Sequence, residues 1–68
     1  MNEIVNLQLY GHYYHKRTNN LYKIIEFVKV KNDNDGKWYD GIRYTRADKE
    51  SQSFVCTVTS FINRFKNA

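Results

Sequence analysis

The sequence predicts a mainly β fold, a small curled antiparallel sheet or SH3-like barrel of four or five strands with a short C-terminal helical turn. Two runs rich in β-branched and aromatic residues, 21–31 and 37–46, flank a loop of turn formers that ends in Gly36. A third β-rich run covers 53–58, and the chain contains no proline to interrupt a sheet ladder. The 68 residues suffice for one domain with a thin core, to which 6 Tyr, 4 Phe and 1 Trp contribute large buried areas.

We expect a single small β domain over residues 1–68. Residues 1–10 have apolar positions at both strand and helix spacing, and we expect a strand or an arm that lies at the edge of the fold. A short strand then covers 12–16 and ends at the polar turn 17–20. The N-terminal part therefore precedes, and packs beside, the central hairpin.

The C-terminal part is predicted to alternate between loop, strand and helix. The charged segment 47–52 contains Ala47 but no larger apolar residue, which indicates a loop before the strand at 53–58. Thr59 or Ser60 can then cap a helix over 61–66. Its apolar side chains would plug an open end of the sheet: Phe61, Ile62 and Phe65.

The central hairpin has a predicted register and therefore two predicted faces. Pairing Lys31 with Lys37 across the loop places Val30 opposite Trp38, Val28 opposite Asp40, Glu26 opposite Ile42 and Ile24 opposite Tyr44. The even positions then form the core face: Tyr22, Ile24, Val28, Val30, Trp38, Ile42 and Tyr44. Glu26 and Asp40 would also lie on that apolar face, which predicts that the register breaks near them.

Four short motifs combine aromatic, basic and apolar residues: Gly11-x-Tyr13-x-His15-Lys16, Leu21-Tyr22-x-Ile24, Ile42-Arg43-Tyr44 and Phe61-x-x-Arg64-Phe65. These motifs resemble those of a family of small bacterial and phage domains of unknown function. The family opens with a G-x-Y-x-H-x-K-G pattern, whereas no glycine follows Lys16 here, and its usual Trp-Arg-Pro segment is missing from this chain. The resemblance implies a compact SH3-like β-barrel and a bacterial or phage source, and it carries over no chemistry.

Composition limits the compartment and the class of partner. The single cysteine, Cys56, excludes an internal disulfide and a multi-cysteine zinc site, which fits a reducing compartment, so we expect a cytoplasmic protein. We find neither a signal peptide nor an apolar run long enough for a membrane span, and we expect no membrane contact. A net charge of +4 is compatible with nucleic acid or with an acidic protein surface.

No motif predicts catalysis, a metal site or a cofactor. Histidines three apart on a strand, His12 and His15, point to opposite faces, and the loop 32–36 lacks the bidentate glutamate of a calcium loop. Cys56 alternates with apolar residues and is expected to be a buried, inert thiol. Glu26 and Asp40 could form a carboxylate pair, but a bulge that turns them to solvent is the simpler interpretation. We therefore expect a non-enzymatic protein.

The odd face of the hairpin is the predicted binding surface. Its cationic and aromatic side chains are Lys23, Phe27, Lys29, Lys31, Lys37, Tyr39 and Arg43. The leading hypothesis is a small binding protein that occupies the surface of a partner protein, in the phage setting an inhibitor of a host or defence factor. The alternative is a nucleic-acid-binding module that uses the same cations and rings, because cations neutralise phosphates and aromatic rings stack on bases. A monomer or a small homo-oligomer is expected in either case.

Overall fold

The computed structural model describes residues 6–68, which form five strands and one helix. The elements are β1 (His12–His15), β2 (Leu21–Lys31), β3 (Trp38–Arg46), β4 (Lys49–Thr57), α1 (Val58–Arg64) and β5 (Phe65–Asn67). All strand pairs are antiparallel in the order β4-β3-β2-β1-β5, so β4 and β5 are the two edges of one curled, unclosed sheet. The predicted mainly β fold with a short C-terminal helix is confirmed, in the form of the curled sheet.

The core lies between α1 and one face of the sheet, and it is mostly aromatic. Phe61 of α1 and Phe65 of β5 stack with their ring centroids 4.1 Å apart, and Tyr44 meets both rings edge-on at 5.3 Å. The buried apolar side chains are Tyr13, Ile24, Ile42, Tyr44, Phe61 and Phe65. Large rings in edge and stacked contacts give a short chain much buried area from few residues.

A β-bulge at Ile25 divides β2 into two parts with different registers. Ile24 pairs with Tyr44 as predicted, but Val28 pairs with Gly41 and Val30 with Tyr39, one residue away from their predicted partners. The predicted break in register near Glu26 is therefore confirmed, whereas the predicted pairings between that break and the loop are wrong. Because side chains alternate along a strand, the extra residue moves every later side chain of β2 to the opposite face.

We call the sheet face that packs against α1 the core face and the opposite one the outer face. Directly paired residues share a face, so Val28 lies on the outer face beside Gly41, and Val30 lies there beside Tyr39. These two valines are half-buried and do not belong to the main core. Trp38 is on the core face but 64% exposed, because its end of the hairpin is not covered by α1. The predicted core is thus correct for Ile24, Ile42 and Tyr44 and wrong for Val28, Val30 and Trp38.

The boundaries in the C-terminal part also differ from prediction. β4 begins at Lys49 after a turn at Ala47 and Asp48, so most of the predicted loop 47–52 is strand. The helix begins at Val58, and its N-cap is Thr57, whose Oγ1 accepts from the Ser60 N–H at 3.2 Å. Phe65 leaves the helix and starts β5, a strand that the sequence analysis does not predict.

The segment before β1 forms no strand within residues 6–10 but is bonded to the sheet. The Tyr10 N–H donates to the Ile24 carbonyl at 2.8 Å, and the Gln8 N–H donates to the Tyr13 hydroxyl oxygen at 3.0 Å. The predicted N-terminal arm or edge strand otherwise falls on residues 1–5, outside the described part of the chain. The predicted strand at 12–16 corresponds to β1.

Candidate interaction surfaces

The bulge separates the predicted binding residues into two groups. Phe27, Lys29 and Lys31 lie on the core face, where they pair with Ile42, Asp40 and Trp38. The remaining strand residues of the set lie on the outer face: Lys23, Tyr39 and Arg43. Lys37 belongs to the loop between β2 and β3. The single cationic and aromatic face expected from the sequence therefore does not form.

Carboxylates partly neutralise three of the predicted cations. Lys23 binds Glu50 at 2.6 Å and Arg43 binds Glu26 at 2.9 Å. Lys29 forms an ion pair with Asp40 across the hairpin. The hydrogen bond from Lys23 lowers the pKa of Glu50, which keeps that carboxylate ionised. Only Lys31 and Lys37 of the predicted cations have no ion-pair partner within residues 6–68.

Hydrogen bonds within the loop fix the end of the hairpin. The Asn32 side chain accepts from the Asn34 N–H at 2.8 Å, and the Asp35 carboxylate accepts from the Lys37 N–H at 2.8 Å. The Tyr39 hydroxyl also donates to Asp35, and this bond lowers the pKa of Asp35. Gly36 has φ +68°, a conformation that favours glycine. Trp38 and its neighbours therefore follow a turn whose conformation is held by hydrogen bonds, as expected for the predicted hairpin.

An uncovered apolar region occupies the core face of the hairpin next to α1. Phe27 is 49% exposed and Trp38 is 64% exposed, and a groove of about 600 Å³ lies between the hairpin and α1. The apolar residues of the core face and of the neighbouring segments that line the groove are Leu7, Phe27, Val58 and Ile62. We define the hairpin surface as Phe27, Lys29, Lys31, Trp38 and Asp40. Sequence reasoning missed Trp38, because strict alternation assigned it to the core, and missed Leu7 and Ile62, whose positions depend on tertiary packing.

The side chains that were candidates for catalysis have contacts that are typical of residues with a structural role. His15 Nδ1 accepts from the backbone N–H groups of Arg17 and Thr18, and its ring packs edge-on against Phe65. Burial raises the pKa of the Cys56 thiol, which disfavours the reactive thiolate. Glu26 and Asp40 lie on opposite faces of the hairpin, so they do not form the carboxylate pair considered from the sequence.

Neither the length of the helix nor comparison with known proteins assigns a function to the chain. The helix α1 has seven residues, and no helix in residues 6–68 has the length and apolarity needed to cross a membrane. The resemblance to small bacterial and phage domains rests on the motifs quoted above and stays a prediction. Comparison of the chain with protein-family models, with curated proteins and with solved structures finds no match.

Proposed function

We propose that this protein is a small, non-enzymatic binding protein that occupies the surface of a partner protein through the hairpin surface and the adjoining groove. The observation that carries the proposal is the exposure of Phe27 and Trp38 on the same sheet face as the core. Large apolar side chains that are grouped in one exposed region are typical of interaction sites. Tryptophan in particular is enriched among residues that dominate binding energy.

The chemistry of the groove specifies the kind of partner. Its walls accept an aliphatic or aromatic side chain, while the Lys29–Asp40 ion pair lies at its rim. Lys31 pairs with Trp38 across the hairpin, and Lys37 directly precedes Trp38 in the chain. Neither lysine forms an ion pair within the described residues. A partner surface with one protruding apolar side chain flanked by carboxylates would match both features. The hydrogen-bonded loop lowers the entropy lost on binding, because the hairpin is ordered beforehand.

The more specific form of the proposal is a phage-encoded, cytoplasmic inhibitor of a host or defence factor. The motif resemblance, the small size and the single cysteine support this form. Nucleic-acid binding through the predicted cations is the second candidate. We place it second because those cations are divided between two faces and three of them are paired with carboxylates.

The proposal is tested by comparing what immobilised wild-type protein and a Phe27→Ala/Trp38→Ala variant retain from a nuclease-treated bacterial lysate. We expect the wild type to retain one protein in stoichiometric amount and the variant to lose at least tenfold in affinity for it. The retained protein is then purified, and its affinity is measured by calorimetry. The expected loss corresponds to more than about 1.4 kcal/mol, which is within the range for interface aromatic side chains.

The matched control is Val55→Ala, which truncates an apolar side chain that is 54% exposed on the outer face of β4. It should bind as the wild type does. Equal losses for the control and the double variant would contradict the assignment of the hairpin surface. Recovery from an untreated lysate that disappears after nuclease treatment would instead support the nucleic-acid alternative.

A further inference from the structure

Three cations that lack carboxylate partners lie close together at the turn after β1 and the end of α1. The ion pairs within residues 6–68 involve Lys23, Lys29, Arg43 and Arg46. Lys16, Arg17 and Arg64 form none of them, and all three are exposed. Three of the unpaired positive charges of the described residues therefore meet where the turn after β1 contacts the end of α1.

These two segments are joined by a backbone hydrogen bond and enclose a groove. The Lys16 N–H donates to the Arg64 carbonyl at 2.8 Å. The groove has a volume of about 470 Å³, and its walls are His15, Lys16, Arg17, Asn63 and Arg64. No carboxylate belongs to this lining. A concave site with cations from two segments concentrates positive potential more strongly than isolated surface lysines do.

The neutral side chains of the groove can add hydrogen-bond donors to its charges. His15 Nδ1 accepts the N–H groups of Arg17 and Thr18 at 3.2 and 3.4 Å, which places the proton of a neutral ring on Nε2. Nε2 is then a donor, and the Asn63 amide supplies two more N–H groups. Because the backbone N–H groups of the turn are already used, an anion would be held mainly by side chains.

We propose that this groove binds a phosphate group. Two guanidinium groups and one ammonium group match the charge and the several acceptor oxygens of a phosphate, and arginine can bind it through two parallel hydrogen bonds. The phosphate can be free or part of a nucleic-acid backbone, and both sources would use the same contacts. This site lies apart from the hairpin surface, so the proposal does not depend on the proposed function.

The first test is a titration of the isotope-labelled protein with inorganic phosphate, followed by NMR at constant ionic strength. We expect saturable shifts in the backbone and side-chain signals of Lys16, Arg17, Asn63 and Arg64. The Arg17→Ala/Arg64→Ala variant should weaken phosphate binding at least tenfold. The control, Lys49→Glu, removes the same two units of positive charge at an exposed lysine of β4 that forms no ion pair within residues 6–68, and it should change the affinity less than twofold.

The second test measures the binding of a fluorescein-labelled oligothymidylate to the protein by fluorescence anisotropy at several salt concentrations. If the phosphate comes from nucleic acid, the Arg17→Ala/Arg64→Ala variant should bind the oligonucleotide tenfold more weakly. The slope of the logarithm of its binding constant against the logarithm of the salt concentration should also become shallower by about 1.4, or about 0.7 for each lost phosphate contact. Phosphate binding without oligonucleotide binding assigns the groove to free phosphate. The Arg17→Lys/Arg64→Lys variant keeps both charges but not the planar donor groups, and its affinity should be intermediate.

Two results would overturn the proposal. One is that neither ligand produces saturable shifts at the groove in wild-type protein. The other is an equal loss of binding in the Arg17→Ala/Arg64→Ala variant and the Lys49→Glu control, which would show attraction by net charge rather than a site. The spectrum of each variant establishes that it is folded before its affinity is compared.

Discussion

Thr45 and Thr57 have the same side chain, but the two hydroxyl groups differ in whether they form a hydrogen bond. Thr45 is 2% exposed, and its Oγ1 has no hydrogen-bond partner within residues 6–68. Thr57 is the N-cap of α1, and its Oγ1 accepts from the Ser60 N–H. An unpaired buried hydroxyl destabilises the folded state, whereas a capping hydroxyl satisfies a backbone donor that the helix cannot.

Replacing each threonine with valine, which has nearly the same shape, should therefore have opposite effects. We expect Thr45→Val to raise the free energy of unfolding by about 1 kcal/mol, because the unpaired hydroxyl is removed. We expect Thr57→Val to lower it by about 1 kcal/mol, because the cap is lost. Urea denaturation measures both values. A loss of stability in Thr45→Val as large as that in Thr57→Val would show that the Thr45 hydroxyl is hydrogen-bonded.

At the scale of the elements, the hairpin was predictable, but its register between the bulge and the loop was not. The loop 32–36 and the β-rich runs beside it specify a turn between two strands from local chemistry alone. The bulge at Ile25 depends on packing, because it places Phe27 rather than Glu26 beside Ile42 on the core face. The apolar–polar pattern near Glu26 indicated a break, but not on which strand the extra residue lies.

The C-terminal elements show a second limit of prediction. Thr57, Thr59 and Ser60 are all acceptable N-caps by residue type, and the position of Phe61 in the core decides among them. β5 has three residues and pairs with β1, which is distant in sequence, so no local pattern marks it. Short elements of this kind depend on tertiary contacts rather than on propensity.

Gly41 lies in β3, between β2 and β4, at a position where a side chain would meet close neighbours. A Cβ at this position would lie 2.5 Å from Val30 Cγ2 and 3.0 Å from the Cys56 carbonyl oxygen. The first distance requires the Val30 side chain to move, and the second requires the β4 backbone to yield by a few tenths of an ångström. The absence of a side chain at Gly41 therefore lets β3 pass between β2 and β4.

We expect Gly41→Ala to lower the free energy of unfolding by about 1–3 kcal/mol, the usual cost of overpacking. Adding Val30→Ala removes the nearer methyl group and should recover part of the loss, whereas the contact with the β4 backbone remains. Chemical denaturation of the two single variants and the double variant gives the coupling energy. Additive effects would contradict the contact with Val30 as the cause.

At the scale of the whole molecule, the candidate sites were predictable only where their residues are neighbours in the chain. Lys31, Lys37 and Phe27 belong to the hairpin, and the sequence predicts them as binding residues. The cationic groove was missed, because Arg17 and Arg64 lie near opposite ends of the chain and only the fold brings them together. The three ion pairs of the predicted cations were missed for the same reason, since each depends on strand register.

The aromatic core also determines how the molecule responds to alkaline pH. Burial raises the pKa of Tyr44 to about 12 from its ordinary value of 10.0, and it also raises the pKa of the Cys56 thiol. Below pH 10 Tyr44 is neutral in both the folded and the unfolded chain, and its contribution to stability is complete. Between about pH 10 and 12 the unfolded chain ionises first, so the free energy of unfolding decreases as pH rises.

We therefore expect wild-type protein to lose stability between pH 10 and 12 more steeply than Tyr44→Phe does. Thermal unfolding followed by circular dichroism at a series of pH values measures the difference. Tyr10→Phe, which changes an exposed tyrosine, is the matched control and should follow the wild type. Identical pH profiles for wild type and Tyr44→Phe would show that burial of Tyr44 does not cause the alkaline loss.

The helix α1 contributes to both grooves although it has only seven residues. Val58 and Ile62 line the apolar groove beside the hairpin, while Asn63 and Arg64 line the cationic groove near β1. A shift of this helix on binding one ligand would change the walls of the other groove. Thermodynamic linkage then requires reciprocity: a phosphate that alters the affinity for a partner protein is itself bound more tightly or more weakly by the same factor when the partner is present.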